Sequence, residues 1–254
     1  MRGERVRPVD SAGLVLIREA ADGPEVLLGR RHRKSRFMPD TYVFPGGRVD
    51  PEDRAASGFP EPLCEAPVGA DRGTRRRLAV FARAALRECF EETGLLLAAT
   101  PKADAPARTV IGDAPHDGTV WQAYARARAR PAFGALLLVG RAITPVSSPI
   151  RFHTRFFLAP VTDMGARAPV APSHPQGGVE LEDLAWVPLH ETGRLPVTEP
   201  HDLVLVEARR RLSRHRLGGG AWPASATAAP APCFTWRGAG QHLWRTPKPW
   251  GEDA

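Results

Sequence analysis

Apolar residues near the start of the chain fall in short segments that have the pattern of β-strands. Residues 11–18 are apolar and rich in strand-forming side chains, residues 21–24 contain an Asp-Gly turn signal, and residues 25–30 are apolar again. Two such segments around a turn predict a β-hairpin. Residues 41–44 predict a further short strand that runs into Pro45, Gly46 and Gly47.

The strongest helical pattern lies further along the chain, before Gly94. Apolar residues recur there at helical spacing: Leu78, Ala82, Ala85, Leu86 and Cys89. Thr74 is the predicted N-cap of this helix, and Gly94 is the predicted terminator. Residues 50–73 and 101–119 have no stable periodicity and are predicted to be irregular.

The second half of the chain alternates between predicted strands and helices. Strands are predicted at residues 135–143, 151–160 and 182–188, and helices at 121–130 and 200–216. Residues 217–232 are rich in Gly, Ala and Pro and predict a flexible linker. Residues 233–254 contain three Trp and can pack back on the domain. A hairpin, a helix, more strands and a C-terminal helix together indicate an α/β fold.

Composition narrows the functional classes. The 254 residues contain no apolar run as long as a membrane helix, and the first ten residues lack the apolar core of a secretory signal, so we expect a cytoplasmic protein. Three cysteines without a paired motif argue against a disulfide scaffold or a structural zinc site. The net charge of +7 suits nucleic acid or an anionic small molecule. The basic clusters are dispersed and lack a nucleic-acid signature, so we expect no nucleic-acid partner.

Three acidic residues at the end of the predicted helix are the first candidates for chemistry. Glu88, Glu91 and Glu92 are spaced i, i+3, i+4, which places their carboxylates on one side of a helix. Like charges this close repel one another, and oxygen ligands without His or Cys suit Mg²⁺ or Mn²⁺. Arg87 lies four residues before Glu91 and can pair with it. The alternative for an isolated acidic run is a solvated helix surface.

The surrounding residues resemble the Nudix hydrolase family. From Arg87 to Leu95 the chain follows the second half of the Nudix box, R-E-x-x-E-E-x-G and an aliphatic residue. Gly47 and Asp53, with five residues between them, supply the first half, although the family normally has Glu in place of Asp53. The family also has seven residues between that acid and the Arg, whereas here there are 33. The resemblance thus implies an insertion in the box, at about residues 54–79. An alternative alignment through Gly73 and Ala79 keeps the spacing and loses the acid.

Further segments resemble the branch of the family that contains acyl-CoA diphosphatases with a long box insertion. These segments are residues 37–39, 143–145 and 151–157, the last with His153 where the branch commonly has Asp. Arg31 and Arg36 align with the two arginines of a motif found in coenzyme A-cleaving relatives, whose other positions match poorly. With Phe44 they are candidate substrate-binding residues, because guanidinium groups recognise phosphate. The alternative is an exposed basic loop.

The resemblance implies a fold and a set of site residues. The fold is an α/β/α sandwich with a mixed β-sheet, formed by residues 1–217, and residues 218–254 are a linker and tail. The metal ligands would be Glu88, Glu91, Glu92 and the main-chain carbonyl of Gly46, binding Mg²⁺ or Mn²⁺. Arg87 would orient the glutamates, and Glu91 or Glu92 would activate water.

A downstream acid is the alternative base in some relatives. Glu180 and Glu182 are the local candidates, and they can equally be surface acids. His174 and His190 are expected to be exposed loop residues.

The implied activity is hydrolysis of a diphosphate linkage in a nucleoside diphosphate derivative. Coenzyme A or acyl-CoA is the first candidate, and ADP-ribose, dinucleotides and nucleotide sugars are the alternative. A ligand sensor without catalysis is a further alternative, which intact box acids disfavour. The expected partner is a small nucleotide substrate, and the fold type is compatible with a homodimer.

Overall fold

The computed structural model describes residues 6–55, 72–99, 107–111, 119–162, 181–218, 222, 231–237 and 241–245. The strands are β1 (Val9–Ala20), β2 (Gly23–Arg31), β3 (Tyr42–Val43), β4 (Gly46–Arg48), β5 (Leu95–Ala98), β6 (Ala107–Ile111), β7 (Leu137–Ile143), β8 (Phe152–Thr162), β9 (Leu181–Pro188), β10 (Cys233–Arg237) and β11 (Gln241–Arg245). The helices are α1 (Pro51–Arg54), α2 (Arg72–Thr93), α3 (Val120–Arg126) and α4 (Glu199–Gly218), with 3-10 turns at Phe133–Ala135 and Leu189–Arg194.

The described strands join into one sheet that contains parallel and antiparallel neighbours. Its main path runs β11-β10-β7-β8-β1-β2-β3, with β1 parallel to β8 and antiparallel to β2. Strands β4, β9 and β6 attach beside this path to β1, β2 and β8, and β5 pairs with β6. The prediction of an α/β fold with a mixed sheet is confirmed.

On the edge away from β8, strand β1 pairs with two different strands along its length. Its C-terminal part forms the predicted hairpin with β2, whose turn ends at Gly23 with a φ of +113°. Its N-terminal part pairs instead with β4, from Ser11 opposite Arg48 to Gly13 opposite Gly46. Strand β4 also contacts α2. The glycine-rich backbone after Pro45 is therefore held between the sheet and the acidic helix.

Helices α2 and α4 cover opposite faces of the sheet. Consecutive residues of a strand point to opposite faces. The guanidinium of Arg155 in β8 lies 3.6 Å from the ring centre of Phe81 in α2. The next residue, Phe156, contacts the ring of His201 in α4. The layers are helix, sheet and helix, which is the α/β/α sandwich that the resemblance implies.

Helix α2 buries the apolar row that predicted it. The residues of this row are at most 1% exposed: Leu78, Ala82, Ala85, Leu86 and Cys89. Gly94 has a φ of +71° and donates its N–H to the carbonyl of Phe90, so it terminates the helix as predicted. The N-cap prediction at Thr74 is wrong, because the helix already includes Arg72. The arginines that follow Thr74 are good helix formers and extend the first turns.

Two segments that were predicted to be irregular contain regular structure. Ala107–Ile111 forms β6, which pairs with β5 on one side and β8 on the other. The strand is five residues long and one of its partners, β8, is distant in sequence, so local periodicity does not reveal it. Pro51–Arg54 forms the single turn α1, with Pro51 in its first turn. The rest of the first segment, residues 56–71, lies outside the described residues.

Two strands of the C-terminal segment belong to the same sheet. Strand β10 pairs in parallel with β7, and β11 pairs with β10. Trp222 is 2% exposed and donates its indole N–H to the carbonyl of Ala135 at 2.7 Å. The prediction of a flexible linker is therefore wrong at Trp222. The division of the chain at residues 217 and 218 stays a prediction.

None of the helices in the described parts of the chain is long and apolar enough to cross a membrane.

Candidate functional site

Three glutamates line one wall of a cavity at the C-terminal end of α2. Glu88 and Glu92 are 8% and 6% exposed, whereas the side chain of Glu91 is 39% exposed. The predicted convergence of these carboxylates on one side of the helix is confirmed. A fully solvated surface is excluded as the alternative, because two of the three side chains are buried.

Arg87 connects this wall to a residue far away in the sequence. Its Nε and Nη2 donate to the two carboxylate oxygens of Asp53 at 3.1 and 3.0 Å, although the two residues are 34 positions apart. Its Nη1 donates to Glu88 at 3.0 Å and to Glu91 at 2.8 Å. Its Nη2 also donates to the carbonyl of Arg48 at 2.8 Å. The predicted ion pair of Arg87 with Glu91 is present, within a larger network.

Asp53 is the fixed point of that network. Its side chain is fully buried, and its second carboxylate oxygen also accepts the main-chain N–H of Asp50 at 2.8 Å. Its main-chain carbonyl accepts from Arg83 at 3.1 Å. Helix α1, which is only one turn long, is thereby attached to α2 through both the backbone and the side chain of Asp53.

Several acidic side chains surround the single positive charge of Arg87. Besides Asp53, Glu88 and Glu91, the carboxylates of Asp50 and Glu52 lie 3.7 and 3.5 Å from its guanidinium. Burial lowers the pKa of Arg87, but the Asp53 hydrogen bonds and the neighbouring acids outweigh this and raise the pKa above its ordinary value. The guanidinium therefore stays charged.

The ionisation of Glu91 reflects the same surplus of acids. Burial raises the pKa of Glu91 above its ordinary value, and Arg87 lowers it through its charge and hydrogen bond. The negative charges of Glu52 and Asp53 raise it further. Asp50 and Glu52 were not singled out in the sequence, because only the fold brings their turn against Arg87.

The backbone of β4 forms the opposite wall of the carboxylate cluster. The N–H of Gly46 donates to Glu92 at 2.7 Å. A Cβ at Gly47 would lie 2.3 Å from a carboxylate oxygen of Glu88, so only glycine leaves room for that group. In the antiparallel β1–β4 pair, Leu14 donates its N–H to the carbonyl of Pro45, and Val49 donates to that of Asp10. Hydrogen-bonded and non-hydrogen-bonded residue pairs alternate along such strands, so Gly46 and Gly13 form a non-hydrogen-bonded pair. The Gly46 carbonyl therefore points away from β1, as its N–H does.

The donor set at this place suits a hard divalent cation. It consists of carboxylate oxygens and a main-chain carbonyl, without a nitrogen or sulfur ligand. The absence of a side chain at Gly47 leaves space for the Glu88 carboxylate. Within the described residues, no three His, Cys, Asp or Glu side chains already converge on one point as metal ligands. Arg87 and the Gly46 N–H hold the carboxylates in their present positions.

The cavity is much larger than the carboxylate cluster. Its volume is about 950 Å³, which is in the range of sites for whole cofactors or nucleotides. Its lining also carries aromatic and apolar side chains, among them Phe37, Phe44, Ile150 and Phe152. The site thus joins an anionic end, which attracts cations, to a wall that accepts an apolar or flat group.

Basic residues of the loop after β2 reach the same cavity. Arg31 and Arg36 both line it, and Arg31 is oriented by donating to the carbonyl of Phe37 at 3.1 Å. Arg30 attaches this loop to β9 by ion pairs of 2.8 Å with Asp40 and with Asp183. The predicted substrate-binding pair of arginines is therefore brought to the cavity, together with Phe44.

The aromatic cluster around Phe44 includes a histidine that the sequence did not indicate. Phe44 is 3% exposed, and its ring centre lies 5.9 Å from Phe156 and 5.2 Å from His201. Burial, together with the charge of Arg31, lowers the pKa of His201 to about 4. His201 is thus a neutral cavity residue. Helical periodicity places it in α4 but cannot show that this turn of α4 faces the site.

The remaining candidate acids and histidines lie elsewhere. Glu180 and His174 fall outside the described residues. Glu182 is not among the residues described as lining the cavity and lies near Arg30 and His32, at 3.8 and 3.6 Å. His190 is exposed, as predicted, in a 3-10 turn.

Solved structures of known proteins resemble this chain. A Nudix hydrolase from Alicyclobacillus acidocaldarius is 32% identical, and the match covers 79% of this chain and 90% of that one with a TM-score of 0.58. Two weaker matches are an Ap4A hydrolase from C. elegans (16% identity, 81% and 98% coverage, TM-score 0.43) and the Nudix domain of Shewanella oneidensis NrtR (14%, 82% and 90%, 0.45). No argument rests on these two structures, because their similarity to this chain is weak.

No protein-family model matches the chain, and neither does any curated protein. The sequence identity with the Alicyclobacillus acidocaldarius enzyme and the coverage of both chains are nevertheless sufficient to assign the family. The chain belongs to the Nudix hydrolase family, and it is an enzyme, a Nudix pyrophosphohydrolase.

Proposed function

We propose that this enzyme hydrolyses the diphosphate linkage of coenzyme A or acyl-CoA with Mg²⁺ or Mn²⁺ bound at the end of α2. The observation that carries the proposal is the contact of Arg87 with Asp53, Glu88 and Glu91 beside the cavity. This contact gathers acids from two distant parts of the chain around one cation-binding surface.

The same contacts support the interrupted form of the box. Asp53 pairs with Arg87, and Gly47 leaves room for the carboxylate of Glu88. In the alternative alignment Gly73 and Ala79 would form the first half, but both lie within α2 itself. Ala79 also has no carboxylate that could bind Arg87. We therefore infer that residues from about 54 to 79 are an insertion between the two halves.

The metal would be held by Glu88, Glu91, Glu92 and the carbonyl of Gly46. When bound, it neutralises the charge of the diphosphate, orients its oxygens and acidifies a water. Arg87 holds two of the three carboxylates from the side of Asp53 and so sets their positions. Because Glu91 is already bonded to Arg87, cation binding competes with Arg87 for this carboxylate.

The general base must be a carboxylate that faces both the substrate and a water. Glu91 fits best, because it lines the cavity and is the most exposed of the three glutamates. Glu92 is the second candidate, although its Oε2 accepts the Gly46 N–H. Glu180 is the third candidate and lies outside the described residues.

Arg31 and Arg36 would bind the phosphates of the substrate. Both line the cavity, and a planar guanidinium matches phosphate oxygens. Phe44 would contact the substrate from the apolar wall. This arrangement suits coenzyme A, which carries a phosphate beyond its diphosphate. It also suits ADP-ribose, a dinucleotide or a nucleotide sugar, which are the alternative substrates.

The test is hydrolysis of a substrate panel by the purified enzyme with Mg²⁺ or Mn²⁺. The panel contains coenzyme A, acetyl-CoA, a longer acyl-CoA, ADP-ribose, NADH, diadenosine polyphosphates and nucleoside triphosphates. We expect the coenzyme A compounds to be cleaved fastest. We expect Glu91→Gln to lower kcat by about 100-fold or more, because it removes a charge that serves as metal ligand and base.

Glu191→Gln is the matched control, because Glu191 lies outside the cavity lining, in a 3-10 turn, and pairs with Arg194. It should leave kcat unchanged. Faster cleavage of another diphosphate would contradict the coenzyme A assignment and keep the site. No turnover together with tight nucleotide binding would instead indicate a sensor.

We also propose that the enzyme forms a homodimer and does not bind nucleic acid. A homodimer would appear in light scattering as twice the 27.6 kDa mass of the chain. A gel-shift assay with DNA and RNA at physiological salt would detect nucleic-acid binding.

A further inference from the structure

His201 is placed in the cavity by the first turns of α4. Its ring packs against both Phe44 and Phe156, with ring centres 5.2 and 5.7 Å away, and only 8% of the residue is exposed. The residue nevertheless lines the cavity. The packing of both neighbours fixes the ring plane and so fixes the direction of its nitrogens.

One ring nitrogen is already engaged. Nδ1 lies 2.6 Å from the hydroxyl of Thr198, the residue just before α4. Within the described parts of the chain, Nε2 has no hydrogen-bond partner, and it is not among the enclosed polar atoms. His201 lines the cavity, so a ligand there can reach this nitrogen, which is not enclosed.

The electrostatic surroundings keep this nitrogen uncharged. Burial and the nearby positive charge of Arg31 both disfavour a proton on the ring. An uncharged imidazole does not compete with Arg31 and Arg36 for a phosphate. It is suited instead to a neutral polar group of the substrate.

We propose that His201 is a substrate-binding residue whose Nε2 forms a hydrogen bond with a ribose hydroxyl. This rests on the proposed function, in which a nucleoside diphosphate derivative occupies the cavity. A hydroxyl both donates and accepts, so it satisfies Nε2 whichever tautomer the Thr198 contact selects. Ribose is the hydroxyl-bearing group that all the candidate nucleotides share.

The proposal separates recognition from chemistry. Arg87 and the glutamates act on the diphosphate, whereas His201 binds a hydroxyl of the ribose beside it. A site that leaves a buried polar group unpaired rejects an analogue that lacks the matching hydroxyl. The enzyme should therefore discriminate against deoxyribose substrates through His201.

The experiment compares the preferred substrate with its 2′-deoxy ribose analogue in wild type and His201→Phe. For a substrate with a free 3′-hydroxyl, which coenzyme A lacks because a phosphate occupies that position, the 3′-deoxy analogue is compared as well. The Phe variant retains an aromatic ring against Phe44 and Phe156 and removes both nitrogens. We expect wild type to favour one ribose form by about tenfold in kcat/KM, a size that one unpaired buried group accounts for. We expect His201→Phe to raise KM about tenfold, to leave kcat within about twofold and to lose the preference.

Phe156→Leu is the matched control. It loosens the packing of the same imidazole ring without removing Nε2, so it should lower stability and keep the ribose preference. A His201 variant that discriminates as wild type does would overturn the proposal, because the hydroxyl contact would then lie elsewhere. Equal cleavage of the substrate and its deoxy analogues by wild type would overturn it as well.

Failure of the proposed function can be told apart from failure of this inference. If wild type hydrolyses nothing, calorimetric binding of ADP, 2′-deoxy-ADP and 3′-deoxy-ADP supplies the same comparison. Loss of the ribose preference in His201→Phe would support the contact even then. An unchanged preference, or no binding at all, would refute it.

Discussion

At the scale of single residues, the site depends on one buried cation with several acidic neighbours. Arg87 is almost fully enclosed, and five carboxylates lie within 4 Å of it. Asp53 binds it through both carboxylate oxygens. The others share it at the edge of the cavity. This division suggests that Asp53 fixes the arginine, while Glu88 and Glu91 retain capacity to bind other cations.

Asp53→Asn tests that division. The change keeps the shape of the side chain and removes its charge, which weakens two charge-assisted hydrogen bonds in a buried place. We expect the free energy of unfolding to fall by about 2–3 kcal/mol and kcat to fall about tenfold or more. Urea denaturation and steady-state kinetics measure the two effects.

Asp50→Asn is the comparison for this experiment. The Asp50 carboxylate is 52% exposed and lies 3.7 Å from Arg87, so its removal should cost less than about 1 kcal/mol. Equal effects of the two substitutions would show that Asp53 has no special place in the network.

Contacts along one helix were predictable from spacing, whereas contacts made through the fold were anticipated only where the family resemblance supplied the residues. The Arg87–Glu91 pair follows from helical spacing and is confirmed. The position of Asp50 and Glu52 near Arg87 depends on how α1 docks, and the position of His201 depends on how α4 docks. Spacing along one helix carries no information about either docking.

At the scale of elements, the site forms where β4 packs against the C-terminal end of α2. Strand β4 is three residues long and is kept in place by β1 on one side and by α2 on the other. Its glycines allow the helix to approach closely enough for Glu88 to sit against the backbone. The distance between the two elements thus sets the geometry of the carboxylates.

Gly47→Ala should disturb that distance. The added methyl would meet the Glu88 carboxylate at 2.3 Å, so either the side chain or the strand must move. We expect kcat to fall by about 10- to 100-fold, because small displacements in an active site cost this much. We expect stability to fall by about 1–3 kcal/mol. Kinetics and thermal unfolding measure both.

Gly193→Ala is the control, since a Cβ there meets nothing within 4 Å. It should behave as wild type in both measurements. If Gly47→Ala were as active as wild type, the close approach of β4 would not matter for the glutamates.

The elements themselves differ in how far the sequence could predict them. Helix α2 and the first hairpin depend on local periodicity and on glycine turns, and both predictions are confirmed. Strand β6 was missed because it is short and because one of its two partners, β8, is distant in sequence. Strands β10 and β11 lie in a tail that was predicted only to pack back, and neither the pairing of β10 with β7 nor that of β11 with β10 could be derived from composition.

At the scale of the whole molecule, the C-terminal segment is part of the sandwich rather than a simple extension. Trp222 is buried against the turn before β7, and β10 continues the sheet beside that strand. The tail therefore adds strands to the face-to-face layers that carry the site, although it contributes none of the described cavity residues.

Trp222→Ala measures what this anchoring contributes. The change removes a large buried ring and leaves the Ala135 carbonyl without its indole donor. We expect the free energy of unfolding to fall by about 3–5 kcal/mol. Trp222→Phe, which keeps most of the ring, should cost clearly less. A Trp222→Ala enzyme as stable as wild type would indicate that the C-terminal segment is dispensable for the fold.

The long-range contact between Asp53 and Arg87 bears on how such a chain can diverge. Closing a loop becomes harder only with the logarithm of its length, so a span of 33 residues in place of seven costs about 1.4 kcal/mol more. A single buried ion pair with good geometry can offset that amount. Segments of very different length can thus accumulate between the two residues during evolution while the carboxylates keep their arrangement, since a side-chain contact, and not the spacing in sequence, holds them together.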